Sequence, residues 1–301
     1  MTRVETVRAP APAINVHDRR MGYFFGFVGV ASFSLTLPAT RVAVAALDPV
    51  FVGLGRAVVA AVLAAIVLAI GRAPWPGRAL LPRLAIVAGG VVVGFPLFSA
   101  WALQHVPSAH AAVVIGLLPL ATAMAGALIA HERPSRVFWA CAIFGSAVVA
   151  GFALWRGGGA PQPADGLLVL AVVAAAIGYA EGARLARTLG GWQVICWALV
   201  LAAPVVAVPT AMSVDARLLA APAAAWAGFA YVAVVSMFLG FFAWYRGLAQ
   251  GGIAAVGQVQ LVQPFLTIFA SAWLLGEPID VATIVAAGFV IASIAVGRRF
   301  A

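Results

Sequence analysis

The chain has 301 residues, of which 64% are hydrophobic and 9% charged, with a mean hydropathy of +1.09. So apolar a chain cannot cover a soluble surface, and it belongs in a bilayer. The net charge of +9 comes from arginine alone, with no lysine, and the arginines fall between apolar runs rather than along one basic face, which argues against nucleic acid as a partner.

Residues 1–21 form a polar tail carrying Arg3, Arg8, Arg19 and Arg20. The apolar run behind it is too long for a signal-peptide core and lacks a small-residue cleavage site, so it is expected to stay as the first span. Apolar stretches bounded by Arg, Pro and Gly then predict ten spans, at 22–46, 49–70, 83–105, 108–131, 136–155, 164–188, 191–213, 222–247, 252–275 and 279–297, each near the roughly 20 residues a helix needs to cross. Asp48-Pro49 and Pro107-Ser108 separate spans that otherwise run together. Residues 298–301 close the chain. Cys141 and Cys196 lie inside apolar runs without metal-ligand spacing and read as buried thiols.

Alternate loops differ in charge. Of the 18 arginines, 14 fall on the side of the N-terminus, Arg156 and Arg217 fall on the other, and Arg41 and Arg56 lie inside spans one and two. By the positive-inside rule, both termini are expected in the cytoplasm.

The sequence also repeats itself. Pro119 and Glu132 recur as Pro264 and Glu277, each 145 residues on, and both glutamates end apolar runs of similar length. Two copies of five spans, an odd number, place the second copy upside down relative to the first. The expected fold is an all-α membrane protein of ten transmembrane helices, built as two inverted five-helix repeats, 22–155 and 164–297, around a central cavity.

The doubled pattern carries a resemblance. The first copy runs from Ala100-Trp101-Ala102-Leu103 through Ser108-Ala109-His110-Ala111-Ala112 and Leu117-Leu118-Pro119-Leu120 to His131-Glu132-Arg133-Pro134-Ser135. The second runs from Ala243-Trp244-Tyr245-Arg246 through Ile253-Ala254-Ala255 and Val262-Gln263-Pro264-Phe265 to Gly276-Glu277-Pro278. In this pattern the chain resembles the drug/metabolite transporter superfamily of the EamA type over residues 20 to 298, and within it looks most like amino-acid exporters of the YddG kind. The resemblance implies efflux of small metabolites through the bacterial inner membrane by alternating access. The chain departs from its own repeat at His131, where the second copy has Gly276, a difference expected to affect a loop.

Polar side chains at membrane depth are costly and tend to face a cavity or a partner. Span nine offers Gln258, Gln260 and Gln263; Gln260 and Gln263 share a helical face, whereas Gln258 lies about 200° from Gln260 at ~100° per residue. These glutamines either bind a zwitterionic substrate or join helices to one another. Phe95, Phe98 and Trp101 on span three and Tyr179 on span six are candidate aromatic walls, as are Phe241 and Phe242 on span eight. Trp101 and Trp244, near span ends, also fit an interfacial belt. Ser34 and Thr36 are candidates on span one, although such hydroxyls commonly bond their own backbone. Pro38, Pro119 and Pro264 are expected to shape helices by removing a hydrogen bond within them.

Glu181 is the carboxylate placed inside a span, so it is the candidate for proton coupling; Arg184 at i+3 offers a plain ion pair instead. Arg41 and Arg56 are read as snorkelling or meeting Asp48, with attraction of a substrate carboxylate as the alternative. The four histidines lie in the tail or near helix ends, where no catalytic constellation forms, so an enzyme is not expected. No glycine-rich phosphate loop is present, and no cofactor or metal is expected. Export of amino acids and related metabolites is the leading reading, multidrug efflux by the same fold the alternative, and a channel a third. Ten spans can enclose a cavity without a second chain, so a monomer suffices.

Overall fold

The computed structural model describes residues 16–106, 111, 114–157, 162–215, 217–267, 269, 281–297 and 299–300. The Pro107-Ser108 boundary, His110 and the Gly276-Glu277-Pro278 motif lie outside the described residues, as do the beginning of the fourth predicted span and the end of the ninth.

Among the described residues the regular structure is helical. In lipid each backbone N–H and C=O must be satisfied within its own segment, and runs such as Arg56–Ile70, made of Ala, Val, Leu and Ile after the arginine, do so as helix. Among the described residues six helices are long and apolar enough to cross a membrane: Asp18–Val44, Phe51–Ile70, Arg78–His105, Pro163–Leu189, Gly191–Met212 and Ala223–Gly251. Shorter apolar helices cover Leu118–Ile129, Arg136–Phe152 and Ile284–Gly297. Outward-facing side chains such as Val62, Ile66, Phe144, Val205 and Phe289 are exposed and apolar, as a lipid-facing surface requires.

The 145-residue offset of the sequence motifs recurs at a helix end. Counting 145 on from 44, where Thr36–Val44 ends, gives 189, where Pro163–Leu189 ends. Packing follows the same exchange, since Val16–Phe33 lies along Gly240–Gly251 while Pro163–Leu189 packs against Ala88–Gly94 and Phe95–His105. Both contacts are closed by glycine. A Cβ on Gly22 would stand 2.5 Å from the Gly251 nitrogen, and one on Gly90 would stand 2.9 Å from the Gly178 Cα. Small residues of this kind let helix backbones touch where lipid supplies no hydrophobic drive for association.

The spans are less regular than twenty-residue runs suggest. Span one breaks at Ser34 and Leu35, between Val16–Phe33 and Thr36–Val44. Pro38 lacks the N–H that would return to Ser34, and that freed carbonyl instead accepts the Thr267 hydroxyl, while Gln263 Nε2 donates to the Phe33 carbonyl at 3.3 Å. Span nine thus fills the gap in span one. Pro119 and Pro264 do not bend continuous helices as expected: Pro119 sits in the first turn of Leu118–Ile129, after a turn at 116–117, and Pro264 follows the 3-10 segment Gln258–Val262. A proline in the first turn loses no internal hydrogen bond, so these residues start helices rather than kink them. Spans two, three and eight contain π-helical stretches, Phe51–Gly55, Ala88–Gly94 and Tyr231–Leu239, and the last two end 145 residues apart.

Side-chain hydrogen bonds tie span ends to one another. Glu132 accepts from the backbone N–H groups of Ile253 and Ala254, both at 2.8 Å, and pairs with Arg187 at 3.4 Å. At the opposite end Arg41 donates to the carbonyls of Leu103 and Gln104.

Candidate functional site

A cavity is walled by residues of the predicted spans one, two, three, four, six, eight and nine. Each π-helical stretch widens its helix by an extra residue per turn beside this cavity: Arg56 follows the first, Phe95 follows the second, and Ser236 and Met237 lie in the third. From span one come Phe33 and Thr36, the latter hydrogen-bonded across the halves to Ser236 at 2.8 Å. Phe241 and Tyr179, with ring centroids 6.1 Å apart, complete an aromatic side. The cavity volume is about 30 Å³, far below the ~300–1,000 Å³ of small-molecule sites, so a solute of amino-acid size enters only when the walls part.

Of the residues singled out from sequence, Thr36, Arg56, Phe95, Tyr179, Phe241 and Gln263 line this cavity. Gln260 stands one step behind, interacting with Tyr179 and accepting from the Thr122 hydroxyl at 3.5 Å. Gln258 donates to the Pro119 carbonyl at 3.3 Å and so joins span nine to span four. Ser34 donates to the Val30 carbonyl at 2.8 Å, the local bond that hydroxyls in helices commonly make. Phe98 and Trp101 are half-buried neighbours with ring centroids 6.3 Å apart and are not among the lining residues. The belt reading of Trp244 is corrected: it is fully buried, 5.3 Å from Tyr179 and 6.1 Å from Phe33 between ring centroids, because Gly29 lets its backbone come within reach of span one.

Glu181 is buried away from the cavity lining and accepts from two guanidinium groups, Arg83 at Oε1 and Arg184 at Oε2, the second at 3.1 Å. Both arginines are about a third exposed, so the triad sits at a wet end of the bundle.

Arg56 is where the structure departs furthest from the sequence reading. It neither snorkels nor meets Asp48, whose carboxylate is taken by the N–H groups of Val50 and Phe51. Its side chain is 1% exposed, faces the cavity beside Tyr179, and has Nε and Nη1 without a hydrogen-bond partner. A buried charge inside a membrane helix is costly, so an arginine without a partner there marks a place built to hold charge. The available sequence signal was a lone arginine opening an apolar helix with no acid three or four residues away on either side.

A helical bundle with an enclosed, partly polar chamber between its helices is the build of a membrane transporter for small solutes. The chain belongs to the EamA-like transporter family, whose model matches residues 20–154 and again 162–297. It is 49% identical over 280 residues to the uncharacterized transporter YdeK of Bacillus subtilis (strain 168), covering 93% of this chain and 98% of that protein. It is 28% identical over 254 residues to a probable terminal-alkyne amino-acid exporter of Streptantibioticus cattleyicolor, covering 81% of this chain and 82% of the other. A solved crystal structure with 18% identity superposes at a TM-score of 0.73, covering 94% of this chain and all of that one, a likeness of fold.

Proposed function

We propose that the protein exports amino acids, aromatic or neutral ones such as threonine and methionine, together with related small metabolites, across the bacterial inner membrane. Two five-helix halves, 22–155 and 164–297, rock as inverted repeats about the cavity, with both termini in the cytoplasm. The recurrence of a helix end at 145 residues and the exchanged glycine-closed contacts support the repeat. The arginine count supports the orientation.

The observation that carries the substrate reading is the composition of the chamber. Aromatic rings of Phe33, Phe95 and Phe241 stand beside neutral hydrogen-bonding groups of Thr36, Ser236 and Gln263 and a single guanidinium. Rings suit an apolar side chain, and the polar groups suit an α-amino acid backbone. Efflux of cationic drugs by the same fold is disfavoured, since among the described residues no carboxylate lines the chamber and a fixed positive charge repels cations. The name of the Streptantibioticus relative agrees with an amino-acid substrate.

The test is counterflow of labelled threonine, methionine and phenylalanine in liposomes, with and without an imposed pH gradient. Saturable exchange of at least one is expected. Exchange of none would replace the amino-acid reading with another metabolite, and flux that never saturates would favour a channel.

A further inference from the structure

We infer that Arg56 is the carboxylate anchor of the chamber, so that the feature the transporter selects is a monocarboxylate, with the substrate's ammonium group dispensable. The inference rests on the exporter reading for its transport arm only.

Arg56 is nearly fully buried, lines the chamber, and presents an Nε and an Nη1 with no partner. The acids among the described residues that could have neutralised it are engaged elsewhere. Asp48 caps its own turn, Glu132 holds the start of the Ile253–Gly257 helix, Asp165 accepts from the Gln162 backbone, and Glu181 holds Arg83 and Arg184. Tyr179, which lines the chamber with Arg56, is a neutral phenol and supplies no counter-charge. Each of these guanidinium N–H groups of Arg56 can donate a charge-assisted hydrogen bond to a carboxylate oxygen, and a bond of that kind strengthens in a water-poor site. One cation balances one carboxylate. A phosphate dianion would leave charge unmatched, because no second arginine lines the chamber among the described residues.

The opposite pole of a zwitterion finds no such match. Thr36, Ser236 and Gln263 offer neutral oxygens, and Thr36 and Ser236 are already bonded to each other. The chamber therefore recognises the carboxylate by charge and the rest of the solute by shape and aromatic contact. Des-amino acids are expected to be handled as well as amino acids, and amino-acid amides poorly.

The experiment uses the full-length purified protein and two readouts. In counterflow of labelled phenylalanine, unlabelled 3-phenylpropionate is expected to compete within a few-fold of phenylalanine, and phenylalaninamide roughly 10- to 100-fold more weakly, the span of a lost charged hydrogen bond. Arg56→Gln should abolish the difference between acid and amide, while Arg56→Lys should restore part of it. In parallel, thermal stabilisation of the detergent-solubilised protein is read with the acids and amides of threonine, methionine and phenylalanine and with 3-phenylpropionate. Stabilisation by at least one acid over its amide, absent in Arg56→Gln, supports the anchor even if no labelled amino acid is exchanged, in which case the exporter reading fails alone. Equal effects of acid and amide on the wild type, or no stabilisation by any acid, overturns the anchor. So does an Arg56→Gln protein that elutes as the wild type does and keeps the acid preference.

Discussion

Arg56 and Glu181 are both ionisable side chains buried inside apolar helices, yet their surroundings give them opposite characters. Each Glu181 oxygen receives a guanidinium, from Arg83 and from Arg184, whereas Arg56 receives no counterion from the described residues. Both carboxylate oxygens of Glu181 are engaged by guanidinium groups, so the geometry favours a structural ion triad over proton coupling. Glu181→Gln is expected to cost about 1–3 kcal/mol of stability, the range for hydrogen bonds to charged groups, discounted for the partly exposed arginines. Any response of counterflow to an imposed pH gradient should survive the change. A response present in the wild type and lost in the variant would assign the coupling proton to Glu181 after all.

At the scale of elements, two devices hold the bundle where lipid gives no help. The first is a cap across halves: Glu132, at the end of Leu118–Ile129, accepts from the first N–H groups of Ile253–Gly257, which a helix cannot satisfy by itself. Glu132→Ala should cost about 0.5–2 kcal/mol, as lost N-caps do, measured as a lower midpoint of thermal unfolding in detergent. The second is close approach through glycine. A Cβ on Gly247 would stand 2.5 Å from the Gly26 nitrogen and 2.9 Å from its Cα, so Gly247→Leu must push span one away from span eight. Its expected cost is about 1–3 kcal/mol or more from overpacking, visible as poor yield or aggregation on size exclusion, whereas Gly166→Leu, with open space around its Cα, should behave as the wild type.

For the molecule as a whole, alternating access requires the halves to move against one another, and Thr36 with Ser236 marks one place where they touch. Their hydroxyl oxygens are 2.8 Å apart, and a disulfide of ~2.05 Å can take their place with little adjustment. In a background with Cys141 and Cys196 replaced by alanine, the pair Thr36→Cys and Ser236→Cys is expected to stop exchange on oxidation and regain it on reduction. Exchange that continues in the oxidised form would mean that the halves do not part at this contact. The chamber as it stands has a volume of about 30 Å³, so entry of a solute of amino-acid size depends on such parting.

Membership in a bilayer and an all-helical build were legible in the sequence, because hydropathy is a local property of a chain in lipid. Phe95, Tyr179 and Gln263 were legible for the same reason: polar and aromatic residues stand out in apolar runs. What each polar group meets was decided by tertiary structure alone. Gln258 and Gln263 differ in role because one reaches the Pro119 carbonyl of span four and the other the open turn of span one, contacts between residues more than 100 positions apart. Trp244 looked interfacial from its distance to a span end, and a glycine on another helix draws it into the core. Arg56 and Arg41 looked alike in sequence, each a lone arginine in an apolar run, and only the packing of the helices turns one toward carbonyls at the rim and the other into the chamber without a partner. Hydropathy says that a charge inside a membrane must be accounted for; which group, or which solute, accounts for it is settled by the neighbours that folding brings.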